Sequence, residues 1–145
     1  MQQITNPARP LVYALQQNIA KAVVGKEEAI ELMLIALICK GHVLIEDVPG
    51  VGKTTMASAL AKSLQCSFKR IQFTPDVTPS DVTGFTMVSL QTGEMEFKPG
   101  AVMSQIVLAD EINRTSPKTQ SALLEVMEEG QVTIDGITHP MPKPF

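Results

Sequence analysis

The stretch EDVPGVGKTT, residues 46–55, lies between a short apolar run and a segment with helical spacing. Glycines allow backbone N–H groups to turn inward, and a helix that follows them adds the positive end of its dipole. A polyphosphate needs several donors that approach it closely without a steric clash. The stretch therefore predicts a phosphate-binding loop between a strand and a helix.

Each residue of this loop has an expected role. The predicted nucleotide contacts are Pro49, Gly50, Val51, Gly52, Lys53, Thr54 and Thr55. Lys53 would reach the β- and γ-phosphates, and the Thr54 hydroxyl would bind Mg²⁺. The strict pattern G-x-x-x-x-G-K-[ST] begins with glycine, where this chain has Asp47. Taken alone, the loop also fits a glycine turn with a solvated lysine.

A second stretch, IVLADEINR at residues 106–114, reads as an apolar strand that ends in two carboxylates. Asp110 would hold magnesium through water, and Glu111 would polarise a water for attack on the γ-phosphate. Such a pair is elsewhere often only a solvated loop, but its position after a phosphate loop favours the catalytic interpretation. A kinase would share Asp110 and seldom need Glu111, so hydrolysis is favoured over phosphate transfer.

Hydrophobic periodicity predicts an α/β protein with helices, buried strands and β-hairpins. Helices are expected over residues 11–22, 26–40, 53–64 and 117–129, and buried strands over 42–46, 67–73 and 105–109. Hairpins are expected over 86–98 and 132–138, with a short helix in the loop before the first. Leu123, Leu124 and Met127 are expected on the buried face of the last helix.

Composition excludes several classes of protein. The 145 residues, 44% of them hydrophobic, suit one domain over residues 1–145. A net charge of −3 with scattered basic residues argues against nucleic acid as a partner. The N-terminal sequence has no secretory pattern and the apolar run 32–39 is too short for a membrane span, which predicts a cytoplasmic protein. Cys39 and Cys66 fit no metal spacing and are expected to be reduced core thiols.

Most of residues 23–136 resembles the MoxR family of AAA+ ATPases. The matching pieces are VVGKEEAIELMLIAL (23–37), LIEDVPGVGKTT (44–55), RIQFTPDVTPSDVTG (70–84), FKPGAV (97–102) and IVLADEINRTSPKTQSALLEVMEEGQVTIDG (106–136). Asp47 is part of the resemblance, because the family carries it where other phosphate loops have glycine. The chain departs from the family pattern at Val77-Thr78, where an apolar pair is usual, and at Ala101, where proline is common.

The resemblance implies a P-loop NTPase αβα sandwich with a parallel sheet and a β-hairpin insert. This AAA+ core has five parallel strands in the order 5-1-4-3-2 and is followed by a helical lid. The chain would supply the first three strands, so the core is incomplete at its C-terminus. The fourth strand, with its sensor asparagine, and the arginine finger are expected after Phe145. Val24 and Gly25 would lie near the adenine, although a plain turn between two helices also fits them. The 86–98 hairpin would face the pore of a ring, with a plain surface hairpin as the alternative. Arg114 stays unassigned.

The function implied is a Mg²⁺- and ATP-dependent motor that forms homo-oligomeric rings, with hexamers as the expected size. Its work would be chaperone-like remodelling or assembly of client proteins, with a von Willebrand A domain protein as partner. Two alternatives stay open. One is a truncated module that binds nucleotide or a fuller subunit without hydrolysis, and the other is a magnesium-chelatase-like subunit.

Overall fold

The structure is a computed structural model that describes residues 8–46, 50 and 52–145. These residues form two compact units, Met1–Cys66 and Ser67–Phe145. Within the described ranges, every helix is too short or too polar to span a lipid bilayer.

The first unit consists of three helices around one apolar cluster. They are α1 (Ala8–Ala20), α2 (Glu27–Ile38) and α3 (Lys53–Ser63). Glu27 and Glu28 lie in the first turn of α2, where negative charge is favourable next to the helix dipole. The buried cluster consists of Ile19, Val23, Ile30, Met33, Leu34, Met56 and Leu60. The three predicted helices are thus confirmed, with boundaries shifted by a few residues.

The strand predicted over residues 42–46 is wrong for this structure, which has no strand there. Val43 is 47% exposed and Leu44 is 80% exposed. A strand exists only where a neighbour completes its hydrogen-bond ladder. Among the described residues, no strand pairs with this segment.

The prediction that Cys39 and Cys66 are core thiols is wrong for Cys39. Both cysteines are free, but Cys39 is exposed and Cys66 is half-buried. Cys39 is the C-cap residue of α2, and the buried residues of this helix, Ile30, Met33 and Leu34, all precede its last turn. Apolar neighbours in the sequence therefore did not predict burial at a helix end.

The second unit contains the parallel sheet predicted from the sequence. Its elements are β1 (Phe68–Gln72), α4 (Pro79–Thr83), β2 (Gly84–Val88), β3 (Met95–Pro99), β4 (Ile106–Asp110), α5 (Pro117–Glu129), β5 (Gln131–Ile134) and β6 (Ile137–Pro140). Strands β1 and β4 pair in parallel, with Gln72 opposite Asp110. They correspond to the second and third strands of the implied order, which are neighbours there.

The core of this unit lies on one face of the parallel pair. Its buried members are Ile71, Phe73, Val82, Val102, Leu123, Val126, Val132 and Met141. The Ser116 hydroxyl accepts a hydrogen bond from the Thr119 N–H at the start of α5, and Gly130 ends this helix with φ +63°. Leu124 is a wrong prediction, since it is 59% exposed. A turn of 3.6 residues places Val126 on the inner face with Leu123 and turns Leu124 outward.

Both predicted hairpins are confirmed. Strands β2 and β3 pair antiparallel, as do β5 and β6. The turn of the second hairpin is Asp135-Gly136, and both residues have positive φ, which the right-handed strand twist favours in a two-residue turn. The hairpins also meet: the rings of Phe97 and His139 stack with centroids 3.8 Å apart.

A capping box starts α4. It explains why this chain has Thr78 where an apolar residue is usual in the MoxR family. The Asp81 N–H donates to Thr78 Oγ1 at 3.3 Å, and the Thr78 N–H donates to Asp81 Oδ2 at 2.8 Å. The Thr78 hydroxyl also donates to Asp81 Oδ2 at 2.7 Å. These hydrogen bonds from Thr78, first from its hydroxyl and then from its N–H, lower the pKa of Asp81 below 3.8. An apolar residue at position 78 would lose the cap.

We expect Thr78→Ala to lower the free energy of unfolding by about 1 kcal/mol near neutral pH, because the substitution removes the cap. The folded-state pKa of Asp81 is depressed, so the stabilisation from its ionised form exists above the ordinary value of 3.8. It is lost as the pH falls through the lower folded-state pKa. Urea unfolding at neutral pH and at about pH 3 should therefore show a smaller deficit in acid. Thr78→Ser is the control, and a deficit independent of pH would contradict the pairing with Asp81.

The base of the β2–β3 hairpin is closed by tight backbone contacts. The Ala101 N–H donates to the Asp81 carbonyl at 2.9 Å, and the Val102 N–H donates to the Val82 carbonyl at 3.1 Å. A Cβ atom on Gly100 would overlap the Val82 carbonyl and the backbone nitrogen of Gly84. The contact at Ala101 also explains the second departure from the family pattern, because proline has no N–H to donate.

Candidate functional site

The two glycines of the predicted phosphate loop have left-handed backbone conformations. Of this loop the structure describes Gly50 and the residues from Gly52 onward, while Asp47, Pro49 and Val51 lie outside the described residues. Gly50 has φ +88° and Gly52 has φ +86°, values that L side chains rarely adopt. Among the described residues, nothing lies within 4 Å of a Cβ atom placed on either glycine. As far as these residues show, the backbone borders open space on that side.

Helix α3 begins directly behind this loop. Gly52 is its N-cap residue, and no side chain of the described residues caps it. The first N–H groups of an α-helix have no intrahelical acceptor and carry the positive end of its dipole. Lys53 and Thr54 in this first turn are half-buried and Thr55 is exposed. An anion at this N-terminus would meet the positive end of the helix dipole and the first-turn N–H groups, so the residues present fit a phosphate group.

The residues predicted near the adenine lie in the connection between α1 and α2. Val24 is 88% exposed, while the preceding Val23 is buried in the apolar cluster of the first unit. Gly25 follows with φ +77°. An exposed valine beside a turn offers apolar surface and backbone groups to a ligand. The adenine contact stays a prediction.

The acidic pair lies at the carboxyl end of β4. Asp110 is the last residue of the strand, and its side chain is 25% exposed. Glu111 comes next, is exposed, and adopts φ 58° and ψ 37°. This left-handed conformation costs an L residue with a long side chain roughly 1–2 kcal/mol. The sequence carries no signal for this conformation, since asparagine, aspartate or glycine would have indicated it and glutamate does not.

A side chain of helix α5 donates hydrogen bonds to the turn that follows Glu111. It is a 3₁₀ turn, Ile112–Arg114. The Gln120 side-chain amide donates to the carbonyls of Ile112 and Thr115, both at 3.2 Å. These bonds hold the conformation in which Glu111 is strained. Arg114, left unassigned by the sequence analysis, is exposed.

Two hydroxyl groups link this region to the loop before α4. The Val77 carbonyl accepts hydrogen bonds from Thr115 Oγ1 at 3.2 Å and from Thr119 Oγ1 at 2.9 Å. Thr119 is fully buried, so its hydroxyl needs this partner. These two hydrogen bonds therefore hold the loop before α4 against the segment that follows the acidic pair.

Arg70 is a site residue that the sequence analysis missed. Its Nε and Nη2 atoms donate to Asp110 Oδ2 at 3.2 and 2.5 Å, and Nη2 also donates to Gln72 Oε1 at 2.7 Å. Alternation along β1 places Arg70 and Gln72 on the face away from Ile71, and the parallel register places Gln72 beside Asp110. That alternation was visible in the sequence, but the register was not.

The predicted site residues thus fall into two groups. Lys53 and Thr54 belong to the first unit, whereas Asp110 and Glu111 belong to the second. Within its unit, each group lies at the start of a helix or at the end of a strand, as the sequence predicts.

Comparison with known proteins identifies the family of this chain. Residues 42–145 match the family described as "ATPase family associated with various cellular activities (AAA)". The uncharacterised protein YeaC of Bacillus subtilis is 60% identical over 136 residues, which are 94% of this chain and 42% of that protein. The chaperone MoxR1 of Mycobacterium tuberculosis is 46% identical over 128 residues, which are 88% of this chain and 34% of that protein.

A solved structure supports the fold. The crystal structure of a Cytophaga hutchinsonii protein assigned as an ATPase superposes with a TM-score of 0.83 at 44% identity, over 94% of this chain and 42% of that one. The chain thus spans about two fifths or less of the length of the relatives it matches. A family match over residues 42–145, MoxR-named relatives and a shared α/β fold agree: the chain belongs to the AAA family of ATPases, in its MoxR group.

Proposed function

We propose that the protein binds ATP with Mg²⁺ and hydrolyses it. The observation that carries this proposal is the N-terminus of α3, which no described side chain caps, behind two glycines with positive φ. The N–H groups at the positive end of a helix dipole are suited to a phosphate, and a neutral ligand would leave the dipole uncompensated. The family to which the chain belongs consists of ATPases, which supports a nucleoside triphosphate as the ligand.

Different residues would contact different parts of the nucleotide. The backbone of Pro49, Gly50, Val51 and Gly52 would surround the phosphates, together with the N–H groups of Thr54 and Thr55. The Lys53 ammonium group would neutralise charge on the β- and γ-phosphates. Val24 and Gly25 would contact the adenine.

The metal ligands come from both motifs. The Thr54 hydroxyl and the Asp110 carboxylate would hold Mg²⁺, the carboxylate through water. Bound magnesium would neutralise the charge that develops on the phosphate oxygens. The donor set is a hydroxyl and a carboxylate, and oxygen ligands of this kind suit this ion.

Glu111 would act as the base that orients and deprotonates the attacking water. Its carboxylate is exposed, so water reaches it without a conformational change. The left-handed backbone at Glu111 sends the chain into a turn directly after the strand. Strained residues of this kind concentrate at functional sites, which supports the assignment.

At the level of the whole protein, we propose a homo-oligomeric ring, a hexamer, in which hydrolysis drives chaperone-like remodelling or assembly of client proteins. A relative named as a chaperone supports this class of work. The proposal includes a partner with a von Willebrand A domain, a cytoplasmic location, and residues 1–145 as the N-terminal portion of one AAA+ core domain.

Nucleotide titration tests the proposal. We expect calorimetry on the full-length protein to show ATP and ADP binding that Mg²⁺ strengthens. Lys53→Ala should weaken ATP binding at least about tenfold, because a charge-assisted contact to phosphate is lost. Lys62→Ala, which removes the same charge from the last turn of the same helix, is the matched control. Absence of nucleotide binding, or equal binding by the Lys53 variant, would refute the proposed site.

A further inference from the structure

We propose that Arg70 is a positioning residue for Asp110: it fixes one carboxylate oxygen and leaves the other to a water on the metal. The inference rests on the proposed function, because it assigns a role toward the magnesium that Asp110 would hold. It adds a residue on a different strand to the machinery of that site.

The geometry of the contact is selective for one oxygen. Both hydrogen bonds from Arg70, from Nε and from Nη2, go to Asp110 Oδ2. A guanidinium group often binds both oxygens of a carboxylate in a parallel fork. Here Oδ1 accepts no hydrogen bond from the part of the chain that the structure describes. The carboxylate is therefore held by one oxygen and presents the other.

The guanidinium group is itself held in place. Nη2 of Arg70 donates to Gln72 Oε1 at 2.7 Å as well as to Asp110. Gln72 lies opposite Asp110 in the parallel register, so the three side chains share one face of the β1–β4 pair. The orientation of the Asp110 carboxylate is thus determined by two neighbouring strands and not by its own rotamer alone.

Stability is a weak explanation for this pair. The side chains of Arg70 and Asp110 are 45% and 25% exposed. Ion pairs with this much exposure contribute little to folding, because solvent screens the attraction and both side chains lose rotamer freedom. An outer partner of a metal ligand acts differently: it orients the ligand, and its removal typically weakens metal binding about 10–100-fold.

The opposite role for Arg70, competition with magnesium for Asp110, predicts a different effect on metal binding. If the Arg70 cation competed with magnesium for Asp110, its removal would strengthen metal binding. Contact through water needs only one carboxylate oxygen, and Oδ1 is the one that Arg70 leaves open. The observed geometry therefore favours orientation over competition.

The test measures metal affinity without turnover. Mn²⁺, which substitutes for Mg²⁺ at oxygen ligands, is titrated into the ADP complex of the full-length protein and followed by electron paramagnetic resonance. We expect Arg70→Gln to weaken Mn²⁺ binding about tenfold and to leave metal-free ADP binding unchanged. Arg70→Lys, which keeps the charge but loses the fork of donors, should give an intermediate affinity. Lys69→Gln, which removes a neighbouring exposed charge, should match the wild type.

A double-mutant cycle separates positioning from a general effect of charge. In an Asp110→Asn background, Arg70→Gln should weaken Mn²⁺ binding no further, because the oriented group is already gone. The proposal would be overturned if Arg70→Gln left the Mn²⁺ affinity unchanged or increased it. It would also be overturned if Arg70→Gln reduced the Mn²⁺ affinity as much in the Asp110→Asn background as in the wild type. If the wild type itself shows no metal-enhanced ADP binding, the proposed function fails and the inference fails with it. Thermal unfolding of each variant verifies that it is folded.

Discussion

Glu111→Gln is expected to retain ATP binding and to slow ATP turnover by about 10²–10⁴-fold, the usual contribution of a general base. Glutamine has nearly the same size and keeps a hydrogen-bonding oxygen, but it does not accept a proton from water at neutral pH. Because both side chains adopt the same strained backbone, the substitution leaves the free energy of unfolding nearly unchanged. The effect therefore isolates the proton transfer.

Single-turnover and steady-state phosphate release, together with ATP titration, measure this effect. Glu125→Gln is the matched control, since Glu125 is an exposed glutamate on α5. Turnover by Glu111→Gln within about twofold of the wild type would remove Glu111 from the role of general base. Loss of ATP binding together with turnover would instead assign it to the binding of nucleotide or metal.

Gly100→Ala is expected to lower the free energy of unfolding by about 3 kcal/mol, at the upper end of the usual cost of overpacking. The added methyl group would meet the Val82 carbonyl and the Gly84 backbone nitrogen, and neither is the mobile end of a side chain. The backbone would have to separate at the base of the hairpin. This would break the hydrogen bond from the Val102 N–H to the Val82 carbonyl.

Urea unfolding of Gly100→Ala and Gly41→Ala measures this cost. At Gly41, a Cβ atom would lie 3.7 Å from the Ala36 carbonyl oxygen, which is an ordinary van der Waals contact. Gly41→Ala should therefore be neutral or slightly stabilising. A loss below about 1 kcal/mol at Gly100 would mean that the hairpin base relaxes more easily than its packing indicates.

Local chemistry accounts for the parts of the fold that the sequence predicts. Ser116, Pro117 and Gly130 specify the ends of α5 through capping, a fixed φ and a left-handed turn, whatever lies around them. The Asp135-Gly136 turn specifies its hairpin in the same way. The phosphate loop was recognisable for the same reason, since its glycines and its lysine act within a few residues of one another.

The errors and omissions concern interactions between distant parts of the chain. Residues 42–46 have the composition of a buried strand, but a strand also needs a partner. Arg70 and Asp110 meet only because β1 and β4 pair in one particular register. Leu123 and Leu124 are consecutive residues of one helix, and the apolar pattern of the sequence fits either of them on the buried face. Packing against the rest of the unit buries Leu123 and leaves Leu124 exposed.

The strain at Glu111 has a consequence for protein engineering. A redesign that ranks substitutions by folding free energy would favour glycine at this position, because glycine adopts φ 58° without a steric penalty. The most stable version of this turn would then lack the carboxylate on which hydrolysis is proposed to depend. Stability optimisation that leaves this position free would remove activity while it improved the scaffold.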